Sequence, residues 1–463
     1  MFIDRLKDEF HSAESAIDGG PIYPEVTAAE IRDHLARYDF RQGVPLEQAA
    51  ADVEQMLRRW QVHVTHPRYF GLFNPSVTFA SVVADTLAAT YNPQLAAWRT
   101  SPAAIEIERH TLAWLSGKFG LPAQAAASFT SGGAEANLSA VIVALTQAFP
   151  AYDEKGLRGL PNSPVFYIST EAHHSFSKIA HMTGLGRDAL RTIPTGADLR
   201  MNVSALADQV AQDRRRGLSP FLVVGTAGTT AAGVIDPLPE LARFCRDGRL
   251  WFHVDAAWGG AAIVSPSLRH HLAGIEHADS ITCDAHKWFS VAMGCGMFFC
   301  RYPETVARAF RAEASYMPER AGADTRDPYT HSVQWSRRFA GLKLFLTLAE
   351  LGEEGQARVI EHQVRMGNHL RERLAAANWT VVNVTSLPVV CFTRDGLDLP
   401  WFLKSLRAQQ IAWMSEARLG TASVVRACIT SFKTTEEDIE HVVEQITRMA
   451  AEQRNSRLAA ATS

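Results

Sequence analysis

Hydrophobic positions follow two different periods along this chain. Within residues 45–60, apolar side chains stand at 46, 49, 53, 56, 57 and 60, a helical spacing that predicts an amphipathic helix. Further along, short apolar runs that end in turn residues alternate with helical patterns such as 134–149. We predict that these runs are strands, at 166–169, 221–225, 251–254 and 280–283. Strands that alternate with helices indicate an α/β fold with a mainly parallel sheet.

The last hundred residues have a different pattern. Apolar runs at 381–384, 389–393 and 424–429 predict strands, and a helix is predicted to begin at Thr434, with Glu437 three residues later as a capping box. An apolar run at 290–300 predicts one more buried strand. We therefore divide the chain into an N-terminal helical segment (1–75), a large α/β domain (76–345) and a small C-terminal α+β domain (346–463).

One long segment has no periodicity. Residues 317–334 (MPERAGADTRDPYTHSVQ) are polar, contain a glycine and two prolines, and directly follow Tyr316. Because a loop of this length is uncommon inside a compact domain, we expect either a functional lid or a disordered segment.

Composition narrows the classes of function. Apolar residues make up 47% of the 463 residues and charged residues 21%, which is typical of a globular protein. The net charge of −3 gives no basic surface for nucleic acid, and no run reaches the roughly 18 apolar residues that a membrane span needs. The six cysteines include no CxxC pair, so we expect reduced thiols, no bound metal and a cytoplasmic location.

Three short motifs contain residue types suited to binding or catalysis. Residues 130–137 (TSGGAEAN) combine small residues with a helix start, where free backbone N–H groups and the helix dipole favour an anion. Asp255 lies at the carboxyl end of a predicted strand, and Lys287 follows the next strand, between His286 and Trp288. A lysine in such surroundings is expected to lose its proton more easily and to become a nucleophile toward carbonyl groups.

Each motif alone has an ordinary explanation. The turn is also consistent with a capped helix start, the aspartate with a turn cap and the lysine with a surface charge. His173 and His174 follow another strand, where adjacent side chains point in opposite directions, which disfavours a shared metal ion. Together, however, an anion cradle, a histidine able to stack on a ring, an aspartate and a lysine follow successive strands. Pyridoxal 5′-phosphate (PLP) needs donors for its phosphate, an anion for its ring nitrogen and an amine for its aldehyde.

The combined motifs resemble those of the group II PLP-dependent decarboxylases, which include aromatic-L-amino-acid, glutamate and cysteine-sulfinate decarboxylases. The resemblance runs from about His66 to Ile446 and rests on the segments 66–70, 101–108, 130–137, 172–173, 225–230, 253–257, 286–288 and 337–343. It implies a PLP-dependent transferase of fold type I, in which residues 76–345 form the PLP-binding domain. It also implies a homodimer with active sites at the interface.

The resemblance also implies roles for single residues. Lys287 matches the lysine that binds the cofactor covalently, Asp255 the partner of its ring nitrogen, and His173 the imidazole stacked on its ring. Further positions match cofactor contacts, and these are Gly132, Gly133, Ala134, Thr226, Ala257, Asp284 and His286. Some relatives have a hydroxyl side chain in place of Ala134 and an amide in place of Asp284. An acidic Asp284 beside a phosphate therefore departs from the pattern.

Substrate-binding residues follow from the same resemblance. Tyr316 matches the mobile-loop tyrosine of the decarboxylases, and Arg426 matches an arginine that some relatives use near a substrate carboxylate. A charge at a strand edge is the alternative for Arg426. The implied pocket consists of Leu72, Phe73 and Asn74, together with Gln94, Ala96 and Trp98 from the partner chain. Its aromatic members favour an aromatic or apolar substrate, whereas its amides are able to hydrogen-bond a polar one.

The sequence therefore predicts α-decarboxylation of an L-amino acid, with the aromatic class favoured, to an amine and CO₂. The predicted catalytic residues are Lys287, Tyr316, His173 and Asp255. An oxygen-consuming reaction that gives an aldehyde is an alternative, but relatives with that reaction often have phenylalanine in place of Tyr316. Another PLP lyase or an aminotransferase is a further alternative. A non-catalytic PLP-fold binding protein is expected to lack Lys287 or Asp255.

Overall fold

The computed structural model describes residues 2–74, 76–319, 321–322 and 324–462. Its helices are α1 (Phe2–Asp18), α2 (Ala28–Leu35), α3 (Leu46–Trp60), α4 (Phe79–Tyr91), α5 (Pro102–Lys118), α6 (Gly133–Ala148), α7 (Tyr152–Lys155), α8 (Ser175–Met182), α9 (Val203–Arg215), α10 (Leu238–Gly248), α11 (Pro303–Ala309), α12 (Leu342–Ala376), α13 (Leu399–Ala408) and α14 (Glu436–Thr462). Its strands are β1 (Ala126–Thr130), β2 (Pro164–Ser169), β3 (Leu190–Ile193), β4 (Ser219–Thr226), β5 (Trp251–Asp255), β6 (Ser280–Asp284), β7 (Gly296–Cys300), β8 (Thr380–Val381), β9 (Val389–Thr393), β10 (Ser415–Leu419) and β11 (Ala422–Cys428).

A seven-stranded sheet forms the centre of the molecule, in the order β1-β7-β6-β5-β4-β2-β3. The strands from β6 to β3 pair in parallel, and β7 is antiparallel to both of its neighbours. Strands β2, β5 and β6 are buried along their whole length, as expected of a sheet that is covered on both faces. The predicted α/β fold with a mainly parallel sheet is confirmed.

A second, antiparallel sheet of four strands, β10-β11-β9-β8, lies near the C-terminus. One hydrophobic cluster joins its strands to α13 and α14, through side chains such as Phe402, Val425, Val442 and Ile446. The small α+β unit predicted from the sequence is therefore present. The residue numbers at which we divided the chain stay predictions.

The N-terminal segment is helical, as predicted. Pro45 precedes α3, whose bounds agree with the predicted amphipathic helix. No side chain of α2 or α3 is buried. The apolar face of α3 is therefore only partly covered within the described part of the chain, and Leu46, Val53 and Leu57 are exposed.

Three local predictions were wrong. The C-terminal helix is capped by Thr435, whose Oγ accepts from the Asp438 N–H at 3.2 Å, because Thr434 instead donates its hydroxyl to the Pro67 carbonyl. The strand predicted at 290–300 begins only at Gly296, since the left-handed backbone of Ser290 (φ 59°) turns the chain first. The strand predicted at 381–384 ends at Val381, and β10 was not predicted.

The polar segment 317–334 is irregular in its described residues, apart from one short 3₁₀ turn at Pro328–Thr330. Residues 320 and 323 of this predicted lid lie outside the described residues. Among the described helices, none is long and apolar enough to cross a membrane.

Candidate active site

A cavity lies at the carboxyl ends of β4, β5 and β6, beside the N-terminus of α6. Parallel strands end at a common edge, so residues that are distant in sequence meet there. The cavity is lined by Phe73, Gly133, Ala134, Asn137, His173, Thr226, Gly228, Thr230, Asp255, Ala257, Trp258 and Lys287. The fold thus brings most of the predicted cofactor residues into one place.

Lys287 lies one turn beyond the end of β6, and its ammonium group is paired with a carboxylate. Lys287 Nζ is 3.0 Å from Asp284 Oδ2. Burial alone lowers the pKa of the lysine, but the carboxylates of Asp284 and Asp255 outweigh burial and raise it. The expectation of an easily deprotonated lysine is therefore wrong for the chain without cofactor, because the sequence did not show how close the Asp284 carboxylate lies.

Asp255 ends β5 and is held at both carboxylate oxygens. Oδ1 accepts from the Ala257 N–H at 3.1 Å, and Oδ2 accepts from the Asn137 side-chain amide at 2.8 Å. The carboxylate is almost completely buried, yet it faces the cavity. Asn137 was quoted as part of the glycine motif but was not predicted as a site residue. The signal available was its place one helical turn after Gly133.

The N-terminus of α6 forms a close-packed cradle. A Cβ atom on Gly133 would lie 2.8 Å from Asp284 Oδ2 and 3.2 Å from the Ala257 methyl group, so only glycine fits without a shift. A Cβ on Gly296, which opens β7, would lie 2.6 Å from the Gly132 Cα. The first N–H groups of a helix have no partner inside the helix and are able to bind an anion. Gly296 is a cradle residue that sequence reasoning missed.

Asp284, the last residue of β6, and His286, two residues later, border this cradle. Asp284 is buried, and His286 Nε2 lies 3.8 Å from its Oδ2 atom. The Nδ1 atom of His286 accepts from the Cys295 N–H at 3.1 Å, which places the proton of the neutral ring on Nε2. Burial lowers the pKa of His286 and so favours that neutral ring. Asp284 Oδ1 has no hydrogen-bond partner among the described residues.

His173 and Thr226 enter the cavity from two further strand ends. His173 Nδ1 accepts from the Ser175 N–H at 3.2 Å, and desolvation by neighbouring atoms lowers the pKa of its ring. The Thr226 backbone N–H donates to buried Asp236, whereas its hydroxyl is buried without a hydrogen-bond partner in the described part of the chain. A neutral imidazole and an unused hydroxyl are both suited to contact a flat polar ring.

The side of the cavity toward the small sheet is aromatic, and one arginine packs against it. The Phe73 ring stacks on Trp258, with centroids 4.4 Å apart and an angle of 27° between planes. The guanidinium of Arg426 lies over Phe73 at 4.9 Å and donates to the carbonyls of Thr230 and Gly71. Arg426 is buried, and its Nη2 has no partner among the described residues, nor has Asn74 Oδ1.

The remaining predicted residues lie away from Lys287 within one chain. Tyr316 is 76% exposed, and its ring centroid lies 6.2 Å from that of Trp335. Gln94 reaches Ser336, and the Trp98 backbone N–H donates to Asp327 at 2.8 Å. None of these side chains, nor Leu72 or Ala96, is among the residues that line the cavity at Lys287.

Comparisons with known proteins agree with this geometry. The model of the pyridoxal-dependent decarboxylase conserved domain matches residues 37–394, which is more than half of the chain. The chain belongs to the pyridoxal-dependent decarboxylases. Aromatic-L-amino-acid decarboxylase of Bacillus atrophaeus is 30% identical over 84% of this chain and 82% of that protein. L-2,4-diaminobutyrate decarboxylase of Acinetobacter baumannii is 31% identical over 77% of this chain and 72% of that protein.

Solved structures have the same fold. The crystal structure of Oryza sativa TDC with PLP and tryptamine superposes with a TM-score of 0.92 at 23% identity, over 98% of this chain and 97% of that chain. This pyridoxal-dependent decarboxylase is a PLP-dependent carboxy-lyase with the fold predicted for it. Its own residues fit PLP, because a cradle that admits no Cβ, a cavity-facing carboxylate and an amine stand together in one cavity.

Proposed function

We propose that this decarboxylase removes the α-carboxylate of an L-amino acid and releases the amine and CO₂. One observation carries the proposal, namely that Lys287, Asp255 and the N-terminus of α6 line the same cavity. PLP, when bound, supplies an aldehyde that captures the substrate amine and a ring that accepts electrons from the bond to be broken. The cradle of Gly132, Gly133 and Ala134 binds its phosphate.

Each catalytic residue has a defined task in this proposal. Lys287 would hold the cofactor, because its amine is the group in the cavity that is able to bind an aldehyde covalently. Asp255 keeps a proton on the ring nitrogen, because a carboxylate stabilises a neighbouring cation. His173, which lines the cavity, would contact the ring of the cofactor. Tyr316 returns a proton to the substrate Cα after CO₂ has left.

Replacing Lys287 tests the assignment. Lys287→Ala is expected to lose both the visible absorbance of lysine-bound cofactor and the formation of CO₂. Lys404→Ala is the matched control, since Lys404 is an exposed lysine on α13. The proposal fails if Lys287→Ala keeps the visible band and the turnover of the unchanged protein.

Aromatic substrates are favoured by the side chains around Arg426. Phe73 and Trp258 present stacked rings. The Nη2 atom of buried Arg426, which has no partner among the described residues, is suited to a substrate carboxylate. The relatives named above act, by their names, on aromatic amino acids and on L-2,4-diaminobutyrate. The competing class is therefore an amino acid with an amine in its side chain. Release of CO₂ and amine from a panel of L-amino acids decides between them, and exclusive turnover of diaminobutyrate would reject the aromatic class.

Simple decarboxylation is favoured over aldehyde formation by Tyr316. The phenol is a proton donor for Cα, whereas phenylalanine leaves that position open to attack by oxygen. We expect neither oxygen uptake nor peroxide during turnover, and we expect Tyr316→Phe to produce both. Tyr329→Phe, which changes a second tyrosine near Trp335, is the control and should produce neither. Peroxide from the unchanged enzyme would support the aldehyde reaction instead.

We further propose a homodimer in which the partner supplies Tyr316 and residues 94–98 to the site. Apolar side chains stand exposed on and before α3, where the described residues offer no cover; they are Phe40, Val44, Leu46, Val53 and Leu57. Leu57→Glu is expected to convert the dimer to monomer and to abolish turnover, as measured by light scattering and CO₂ release. Val384→Glu is the control, because Val384 is 91% exposed outside this face. A monomeric, active wild-type enzyme would overturn this assembly.

The cytoplasmic location stays a prediction.

A further inference from the structure

A chain of buried hydrogen bonds leads away from Asp255, behind the cavity. The Asn137 amide Nδ2 donates to Asp255 Oδ2 at 2.8 Å, and Asn137 Oδ1 lies 3.1 Å from His253 Nε2. The other ring nitrogen of His253 lies 2.9 Å from the Ser280 hydroxyl, which in turn accepts from the Trp251 indole N–H at 2.9 Å. The side chains of Asn137, His253 and Ser280 are all buried.

The direction of each hydrogen bond follows from the carboxylate. Because an ionised Asp255 only accepts, the NH₂ side of the Asn137 amide must face it, and the carbonyl side must face His253. That carbonyl needs a donor, so His253 carries its proton on Nε2. Burial lowers the pKa of His253 to about 4, which leaves the ring neutral and its Nδ1 free to accept from the Ser280 hydroxyl. This arrangement satisfies the Asn137 amide and the Ser280 hydroxyl. Two further groups lie near the ring: the Ser280 carbonyl oxygen is 3.1 Å from Nδ1, and the Thr282 hydroxyl is 3.4 Å from Nε2.

We propose that Asn137 is a positioning residue that holds the Asp255 carboxylate in a fixed orientation toward the cofactor's ring nitrogen, with His253 and Ser280 fixing the orientation of the Asn137 amide. This inference rests on the proposed function, since it assumes that Asp255 faces that nitrogen. A hydrogen bond donated to a carboxylate favours its charged form. The amide supplies this bond without adding a charge that would compete with the ring.

Other ionisable groups act on Asp255 as well. Lys287, from the segment after β6, and His173, from the segment after β2, interact electrostatically with the carboxylate, as do His253 on β5 and Cys283 on β6. The Lys287 amine is used in its bond to the cofactor, and burial lowers the pKa of both His173 and His253, which favours their neutral forms. Asn137 is therefore the donor to Asp255 Oδ2 that persists in the loaded enzyme.

The protonation of the ring nitrogen reports the role of Asn137 directly. We would load the full-length enzyme with PLP labelled with ¹⁵N in the ring and follow its NMR shift against pH. In Asn137→Ala and the better-filling Asn137→Leu, the ring nitrogen should lose its proton at a pH about one to two units lower than in the wild type. Thr146→Val, a buried substitution on the same helix, should leave the titration unchanged.

Asp255→Asn separates failure of this inference from failure of the proposed function. If Asp255→Asn deprotonates the ring nitrogen but both Asn137 variants titrate as the wild type does, Asn137 has no positioning role and the inference is wrong. If even Asp255→Asn leaves the titration of the ring nitrogen unchanged, Asp255 does not face that nitrogen. The role that the proposed function gives to Asp255 is then wrong. His253→Phe frees the Asn137 amide and should cause a smaller shift in the same direction as Asn137→Leu.

Discussion

Asp284 is predicted to slow the attachment of PLP to Lys287, and Asp284→Asn should accelerate it. Lys287 Nζ must lose a proton before it attacks an aldehyde, and Asp284 Oδ2, 3.0 Å away, stabilises the protonated form. The pKa of Lys287 is accordingly raised: burial acts to lower it, but Asp284 and Asp255 prevail. An amide in place of the carboxylate keeps the size of the side chain and removes its charge.

The distance sets the size of the effect. Two unit charges 3.0 Å apart attract each other by about 5.5 kcal/mol at an effective dielectric constant of about 20. Solvent that reaches the partly exposed lysine reduces this figure. A quarter of it, about 1.4 kcal/mol, still corresponds to a tenfold larger fraction of free amine at a pH below the pKa. We therefore expect attachment at neutral pH to be at least about tenfold faster in Asp284→Asn.

Stopped-flow mixing of the apoenzyme with PLP measures this rate through the visible absorbance of the bound cofactor. The rate of attachment should increase with pH in both proteins. In Asp284→Asn, this increase should occur at a lower pH than in the wild type. Asp279→Asn is the matched control, because Asp279 precedes the first residue of β6, at the end of the strand opposite to Asp284. The amide oxygen of the variant is still able to accept the hydrogen bond from the Phe252 N–H. An unchanged rate–pH profile in Asp284→Asn, or slower attachment at neutral pH, would refute the reasoning.

Three further predictions concern the cradle and the stability of the fold. Gly133→Ala places a methyl group 2.8 Å from Asp284 Oδ2, so PLP should dissociate at least about tenfold more readily on dialysis. If the variant retains PLP as well as the wild type does, the N-terminus of α6 does not bind the phosphate. Arg337→Met leaves the Glu108 carboxylate buried without its partner at 2.6 Å and should lower the free energy of unfolding in urea by about 3–5 kcal/mol; a loss below about 1 kcal/mol would be inconsistent with this ion pair. Burial raises the pKa of Asp236 to about 6 from 3.8, so its protonated form is favoured in the folded state and the stability it contributes is lost as pH rises through this interval. Relative to Asp236→Asn, the wild type should therefore lose about 2 kcal/mol between pH 4 and pH 6, and parallel stability curves would argue against a raised pKa.

Local signals in the sequence predicted much of the site. Strand periodicity located the ends of β2, β5 and β6, and the residues that follow these ends meet because parallel strands share an edge. His173, Asp255 and Lys287 could therefore be predicted to lie together. The short motif at 130–137 predicted a helix N-terminus. This N-terminus lies at the same edge of the sheet, because α6 follows β1 directly.

Contacts between distant segments could not be predicted in this way. The bond from Asn137 to Asp255 joins residues 118 positions apart, and nothing in either local pattern specifies it. The raised pKa of Lys287 depends on the 3.0 Å approach of Asp284, which is a matter of side-chain geometry. The helix cap at Thr435 was misplaced by one residue because Thr434 bonds to Pro67, far away in the sequence.

The identity of the lysine that carries PLP tests the account most directly. Reducing the loaded enzyme with borohydride fixes the cofactor on its lysine, and digestion followed by mass spectrometry locates the modified residue. We predict the pyridoxyl group on Lys287, in stoichiometric amount, and on no other lysine. A pyridoxyl group on a different lysine of a fully active enzyme, with Lys287 unmodified, would contradict the account.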